Sequence, residues 1–254
     1  MSLEDDPPVA RPEHDGGGGW PPPSGVAVLL PALDEEEALP DVLDRIPPWV
    51  ERVVVADNGS TDGTADVARS GGAEVVFESE RGYGAACLAG IRYLSHLEQP
   101  PEILVFLDAD GSDNPADIGR VVEPIARGAA DLVLGVRRGF DGDVGTILPH
   151  ARFGNRIVLT LTRLLFGRAF ADLPPFRAVR FDRLIALEMD DRNWGWTLQM
   201  QLRAVRLGLR IEELEVEHRR RSEGVSKISG SLSMSVRVGA KMFYTLWRER
   251  TRRR

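Results

Sequence analysis

Between residues 26 and 136, short apolar runs alternate with longer stretches whose apolar residues recur every three or four positions. The runs are VAVLL (26–30), RVVVAD (52–57), AEVVF (73–77), EILVFLD (102–108) and DLVLGV (131–136). A strand with one wet face alternates apolar and polar residues, so these near-continuous runs predict strands covered on both faces. The intervening patterns at 35–46, 63–71, 84–97 and 115–127 predict helices. Strand–helix alternation of this kind predicts an α/β fold of three layers around a mainly parallel central sheet. Two more helical patterns follow. Over 151–167, Phe153, Ile157, Leu161, Leu164 and Leu165 interleave with Arg152, Arg156 and Arg163. Over 230–248, Leu232, Val236, Ala240, Phe243 and Trp247 share one stripe, and Arg237, Lys241, Tyr244 and Arg248 another. Such helices either pack on a core or lie in a membrane interface.

In parallel sheets, ligands bind beyond the carboxyl ends of the strands. Three of those ends are acidic here: PALDEEE with Asp34 and Glu35, DNGSTDGT with Asp57 and Asp62, and DADGSDNP with Asp108, Asp110 and Asp113. Aspartate caps helices well and acids suit helix N-termini, so Asp34, Asp62 and Asp113 are expected as caps. Asp57, Asp108 and Asp110 sit at strand ends, where capping does not explain them. An Asp-X-Asp pair offers two hard oxygen ligands, which together with substrate phosphates suit Mg2+ or Mn2+. The four histidines are scattered and the one cysteine, Cys87, sits among small apolar residues as a core filler, so no zinc site is expected. Neither GxxxxGK[ST] nor a GxGxxG after the first strand is present. In RGYGAA (81–86) the glycines would let backbone approach a ligand. A metal-bridged diphosphate fits this set best.

The 254 residues, 43% hydrophobic and 28% charged, suit one large domain, alone or with an appendage. One cysteine excludes an internal disulfide framework and makes a reducing, cytoplasmic setting the default. No run is long and apolar enough to span a membrane, and the N-terminus lacks the features of a signal peptide. Three segments are expected: an acidic, Pro/Gly-rich disordered tail (1–25), the α/β domain (26–229), and an amphipathic helix with a basic tail (230–254). Residues 219–254 hold eleven Lys/Arg against two Asp/Glu, a local +9, so the rest carries −16 of the net −7. An acidic body argues against a nucleic-acid partner, whereas the basic end suits peripheral contact with an anionic membrane at its inner face. A homo-oligomer is left open.

LLPALDEE, VVVADNGSTDGT, RGYGAA and LDADGSDNP, in this order and spacing, resemble family 2 glycosyltransferases with the Rossmann-like GT-A fold. FGNRIVLTLTRLLFG, DLPPFRAVR, GWTLQMQLRA and RRRSEGVSK look like the branch that makes polyprenyl-phosphate (dolichyl-type) sugars; the resemblance spans roughly 26–245. It implies an inverting enzyme with a UDP- or GDP-hexose donor and divalent-metal dependence. Pro31, Ala32, Glu35, Asp57, Gly84, Asp108 and Lys227 would contact the donor, with Asp108 and Asp110 as the metal pair. Asp110, Arg137 and Arg221 would act in catalysis, and Arg137, Arg152, Asn155 and Ser226 would meet the acceptor.

The acceptor divides two readings. A hydroxyl acceptor needs a general base, whereas a phosphate acceptor is already ionised and needs cations to position it. Gln199 stands where related sequences carry Glu and cannot act as a base. Together with Arg137, Arg152, Arg156 and Arg221, that favours a polyprenyl phosphate, since the planar fork of arginine suits phosphate. Asp190 and Asp191 keep a soluble or cell-envelope hydroxyl acceptor open, and a nucleotide-sugar-binding scaffold is the non-enzyme alternative. Two departures from the family pattern stand out: Ser112 and Asp113 follow the metal pair, and Pro174 and Pro175 replace a Ser-Gly step.

Overall fold

A computed structural model of the chain describes residues 23–137, 149–218 and 232–252, the side chains of 149–156 and 232–236 excepted. Arg221, Ser226 and Lys227, nearly all of the expected tail, and the side chains of Arg152, Asn155 and Arg156 lie outside the described residues.

The five expected strands form as β1 (Val26–Ala32), β2 (Arg52–Asp57), β3 (Glu74–Phe77), β4 (Ile103–Phe106) and β5 (Leu132–Arg137). Two more, β6 (Arg177–Arg180) and β7 (Ile211–Val216), complete one sheet in the order β3-β2-β1-β4-β6-β5-β7. The β6 strand runs antiparallel to both β4 and β5, and every other pairing is parallel. Neither added strand announces itself by an apolar run. RAVR carries two arginines, and IEELEV is an outer strand with four half-exposed or exposed residues.

Among the described residues, eight α-helices flank the sheet: α1 (Leu39–Asp44), α2 (Thr64–Ser70), α3 (Tyr83–Ser95), α4 (Ile118–Ala126), α5 (Pro149–Phe166), α6 (Phe181–Ala186), α7 (Trp196–Arg206) and α8 (Leu232–Thr251). Strand residues alternate between two cores, as the period of two requires. Val26, Val28, Leu30 and Ala32 join the core beneath α1 and α4, whereas Ala27 and Leu29 join the core that holds Ala86, Cys87 and Leu94 of α3 and Trp196 and Met200 of α7. Each such buried Val or Leu contributes roughly 1.5–3 kcal/mol, which is why the runs are unbroken. Cys87 is buried there as a filler, and burial pushes its thiol well above the ordinary range.

Helix α1 starts four residues later than its acidic pattern suggests. The N–H groups of Glu35 and Glu36 bond instead to Thr64 Oγ1 (2.8 Å) and Asp62 Oδ2 (3.2 Å), tying this turn to the loop after β2. At the other end of the chain, α8 packs through Met242 and Leu246 against Val158, Leu198 and Leu202 of α5 and α7. Its fully buried charge is Glu249, 0% exposed. The apolar stripe expected to choose between core and interface faces outward where it is described: Ala240, Phe243 and Trp247 are exposed, Trp247 at 62%, as is Tyr244 of the neighbouring stripe. Among the described residues no helix is long and apolar enough to cross a membrane.

Candidate active site

The carboxyl ends of β1, β2 and β4 open into one cleft of about 320 Å3, and the acids of those ends divide between it and its supports. Pro31, Ala32, Leu33 and Glu35 form one wall, Asn58, Arg81, Gly82 and Tyr83 another, Asp108 to Asp110 the floor, and Asn193 and Trp194 the far side.

The loops after β1 and β2 are stitched together. Asp34, in the left-handed region at φ 49°, accepts the Thr61 N–H (2.7 Å) and donates its own N–H to Ser60 Oγ (2.9 Å). It thus clamps the neighbouring loop rather than capping a helix. Asp62 accepts the N–H of Thr64, the first residue of α2, at 3.0 Å. Burial alone would raise its pKa; the bonds from Thr64 and Glu36 outweigh that and hold it below the usual carboxylate range.

Asp57, expected to touch the donor, is buried and accepts the Ser60 N–H at 2.8 Å, folding the turn that follows β2. Its neighbour Asn58, missed in the sequence, is the one on the cleft wall. Asn58 Nδ2 donates to the carbonyls of Glu78 (3.2 Å) and Glu80 (2.6 Å), and its Oδ1 accepts the Gly82 N–H (2.7 Å), so it fixes the loop that carries Arg81.

Gly84 does not line the cleft. A Cβ there would lie 2.0 Å from the Asp191 carbonyl oxygen, so the residue is glycine to let α3 press on the segment before α7. The close backbone approach is real, but its partner is the protein itself.

Asp108 and Asp110 share the floor of the cleft, Asp110 at 4% exposure with Oδ1 held by the Ser112 N–H (2.9 Å). Asp113 is not the expected cap. That role falls to Asn114, whose Oδ1 accepts the Ala116 N–H at 3.2 Å. Asp113 instead faces back, its Oδ2 accepting the Asp108 N–H at 3.3 Å. Its Oδ1 lies 3.5 Å from Nδ1 of His218, and both atoms are buried without a hydrogen bond. His218 is a second residue that the scattered histidine pattern concealed. Among the described residues, no group of three or more His, Cys, Asp or Glu is disposed to hold a metal ion. A pair of carboxylates on an open floor still fits a hard cation whose other ligands are phosphate oxygens and water.

Arg137 is the last residue of β5, and its fork is engaged. Nε and Nη2 donate to the two carboxylate oxygens of Asp172 at 2.7 and 2.8 Å, and Asp172 is 0% exposed. Burial alone would lower the pKa of Arg137; Asp172 outweighs it and raises the value. Asp172 anchors this guanidinium at the end of β5. A further arginine, Arg177 of β6, lies buried behind the floor. It donates to the carbonyls of Pro174, Pro175 (3.3 Å) and Thr197 (3.2 Å), and burial pushes its pKa down to about 10. The Pro-Pro step that departs from the family pattern thus supplies carbonyl acceptors for a buried charge.

The two acids considered as a base are also engaged. Asp190 receives Gln199 Nε2 (2.7 Å), Arg203 Nη2 (2.7 Å) and Arg248 Nη2. Burial alone would raise its pKa, but Arg203, Gln199 and Arg248 lower it. Asp191 is buried 2.8 Å from Lys241 Nζ. Gln199 is fully buried, bonded also to Glu249 Oε1 (2.9 Å). None of the three lines the cleft.

A parallel sheet interrupted by one antiparallel strand, with an Asp-X-Asp turn on the floor of a cleft at its carboxyl edge, defines the GT-A class of glycosyltransferases. The chain belongs to glycosyl transferase family 2, whose model matches residues 27–187. It is 39% identical over 218 residues to an uncharacterized glycosyltransferase of Mycobacterium tuberculosis, covering 83% of this chain and 93% of that one. It is 33% identical over 219 residues to an undecaprenyl-phosphate mannosyltransferase of Micrococcus luteus, covering 82% and 88%. The crystal structure of glucosyl-3-phosphoglycerate synthase from M. tuberculosis in complex with Mn2+ and UDP-glucose superimposes with a TM-score of 0.69 at 25% identity, covering 87% of this chain and 79% of that one.

Proposed function

We propose that this glycosyltransferase transfers a hexose, with inversion, from a UDP- or GDP-sugar to a polyprenyl phosphate. The observation that carries the proposal is the Asp108–Asp110 floor facing a cleft walled by Pro31, Ala32, Leu33, Glu35 and Arg81. In this reading, Asp108 and Asp110 would hold Mg2+ or Mn2+, as the Mn2+ and UDP-glucose complex of the structural relative supports. A bound divalent ion supplies charge stabilisation to the departing nucleoside diphosphate. The residues of the chain bind and orient: Asn58 holds the Arg81 loop against the donor, and Asp110, fixed by Ser112, keeps its carboxylate aimed at the diphosphate. In the same reading Arg221 and Lys227 would serve the donor phosphates, and Arg152, Asn155 and Ser226 the acceptor.

Two features support phosphate over hydroxyl as acceptor. Asp190 is hydrogen-bonded to Arg203 and Arg248 and Asp191 is ion-paired with Lys241, both away from the cleft, so neither is poised to take a proton. The relative from Micrococcus luteus is described as acting on undecaprenyl phosphate. Peripheral membrane contact is supported by α8, which exposes Phe243, Tyr244 and Trp247 beside the exposed Arg250, and by Leu164 of α5, 74% exposed. Aromatic and cationic side chains on one helix suit an anionic lipid interface.

The test is a thermal-shift screen of UDP- and GDP-sugars with Mn2+, followed by transfer of radiolabelled sugar from the stabilising donor to polyprenyl phosphate in vesicles. Label should enter the lipid phase only when the phosphorylated lipid is present. Equal transfer to a soluble hydroxyl acceptor without lipid would overturn the proposal.

A further inference from the structure

The far wall of the cleft is built from outside the sheet. Asn193 and Trp194 line it, yet they belong to a short segment between α6 and α7. One carboxylate ties them to α8. Asp191 Oδ1 accepts the Asn193 N–H at 2.9 Å, and Asp191 Oδ2 lies 2.8 Å from Lys241 Nζ on α8. The fit around this pair is close: a Cβ on Gly195 would lie 2.4 Å from Asp191 Oδ2 and 2.5 Å from Thr245 Oγ1 of α8. The other end of the same segment is held by Asp190, through Arg203 and through Arg248 of α8. On its sheet side the segment presses on α3, where the Arg192 carbonyl accepts the Ala85 N–H at 3.0 Å.

We propose that Lys241 is a positioning residue for the donor cleft, acting through Asp191 to fix the Asn193–Trp194 wall. The inference rests on reading the cleft as the nucleotide-sugar site. The side chain of Asp191 is 1% exposed, so removing the Lys241 ammonium leaves a buried carboxylate without its cation, and the segment must shift to hydrate it. The shift moves the wall, whereas the Asp108–Asp110 floor hangs from β4 and stays in place. Donor binding is therefore affected before the chemical step. Arg206 offers the control: it also docks α8, donating to the carbonyls of Glu249 (2.5 Å) and Arg252 (2.6 Å), but it makes no bond to the 190–194 segment.

The experiment measures calorimetric binding of UDP and GDP in the presence of Mn2+, together with donor KM and kcat, for the wild-type chain and for Lys241→Met, Lys241→Arg and Arg206→Met. A small displacement of a binding wall predicts about tenfold weaker nucleotide binding and a matching rise in donor KM for Lys241→Met, with kcat within about twofold. Lys241→Arg should restore binding. Arg206→Met should lower Tm while leaving nucleotide affinity unchanged. Equal affinity in Lys241→Met and wild type, or the same loss in Arg206→Met, overturns the positioning role. If the wild type binds neither nucleotide, the reading of the cleft itself fails, a result distinct from both.

Discussion

Arg137 and Asp172 form the pair whose disruption tests the site geometry most sharply. Asp172 is fully buried and accepts from Nε and Nη2 of Arg137, and its Oδ1 also accepts the Leu173 N–H at 2.7 Å. In Asp172→Asn, an amide NH2 group faces the guanidinium, so two donors oppose each other and a buried cation loses its counter-charge. Breaking a fully buried pair costs about 3–5 kcal/mol; with Arg137 partly exposed we expect about 2–3 kcal/mol. For a chain of this size each kcal/mol moves Tm by about 2–4 °C, so thermal denaturation followed by circular dichroism should show a drop of about 5–10 °C. Arg137→Lys keeps the charge but not the fork and should fall between. The double variant Arg137→Met/Asp172→Leu should be less damaged than the two single losses combined, with a coupling of about 1 kcal/mol or more. An Asp172→Asn protein that melts with the wild type, or strict additivity in the double variant, would show that the anchor carries no stability. Arg137 would then return as a candidate acceptor cation.

Other predictions follow from the same contacts. Arg210 donates to Asp131 (2.8 and 3.0 Å) and this bond, against some burial, lowers the Asp131 pKa to about 2. Because the folded value lies below the ordinary 3.8, its stabilisation is full above that pH and is lost as pH falls through about 2, a loss that denaturation across this window will read and that Asp131→Asn should remove. Gln199→Glu should not create a base: it sets a third carboxylate against Asp190 and Glu249 and should destabilise by about 2–4 kcal/mol in urea titrations near neutral pH. Phe243→Ser/Trp247→Ser should weaken flotation with anionic vesicles without changing Tm, because both side chains are exposed; unchanged flotation would remove α8 from the membrane contact.

Much of this molecule is legible in its sequence. The central strands of unbroken Val and Leu are buried on both faces and so are visible as runs, β3 shows the same pattern at a half-exposed edge, and the sheet's ligand edge follows from their direction. The Asp108–Asp110 pair is legible because strand ends do not need caps. What escapes the sequence is settled by partners far along the chain. Asp113 has the local look of a cap, yet Asn114 takes the helix start and Asp113 meets Asp108 and His218. Asp190 and Asp191 look like solvated loop acids, and only the return of α8 shows them paired with Arg248 and Lys241. Gly84 reads as ligand clearance, but the backbone it clears belongs to Asp191. The β6 and β7 strands lack an apolar run: β6 turns two arginines to polar partners and β7 lies at the sheet edge. The outward stripe of α8 shows the limit of periodicity, which finds an apolar face without saying what covers it.

The most direct measurement is Mn2+-dependent transfer of labelled hexose to polyprenyl phosphate by the wild-type chain and by Asp110→Asn, at matched fold as judged by Tm. Wild-type transfer should rise with Mn2+ and vanish with chelator, and Asp110→Asn should lose at least about a hundredfold in rate, as expected when a charge-stabilising element of the reaction is removed. Wild-type rates in Asp110→Asn, or transfer indifferent to metal, would contradict the assignment of the Asp108–Asp110 floor as the place where the diphosphate departs.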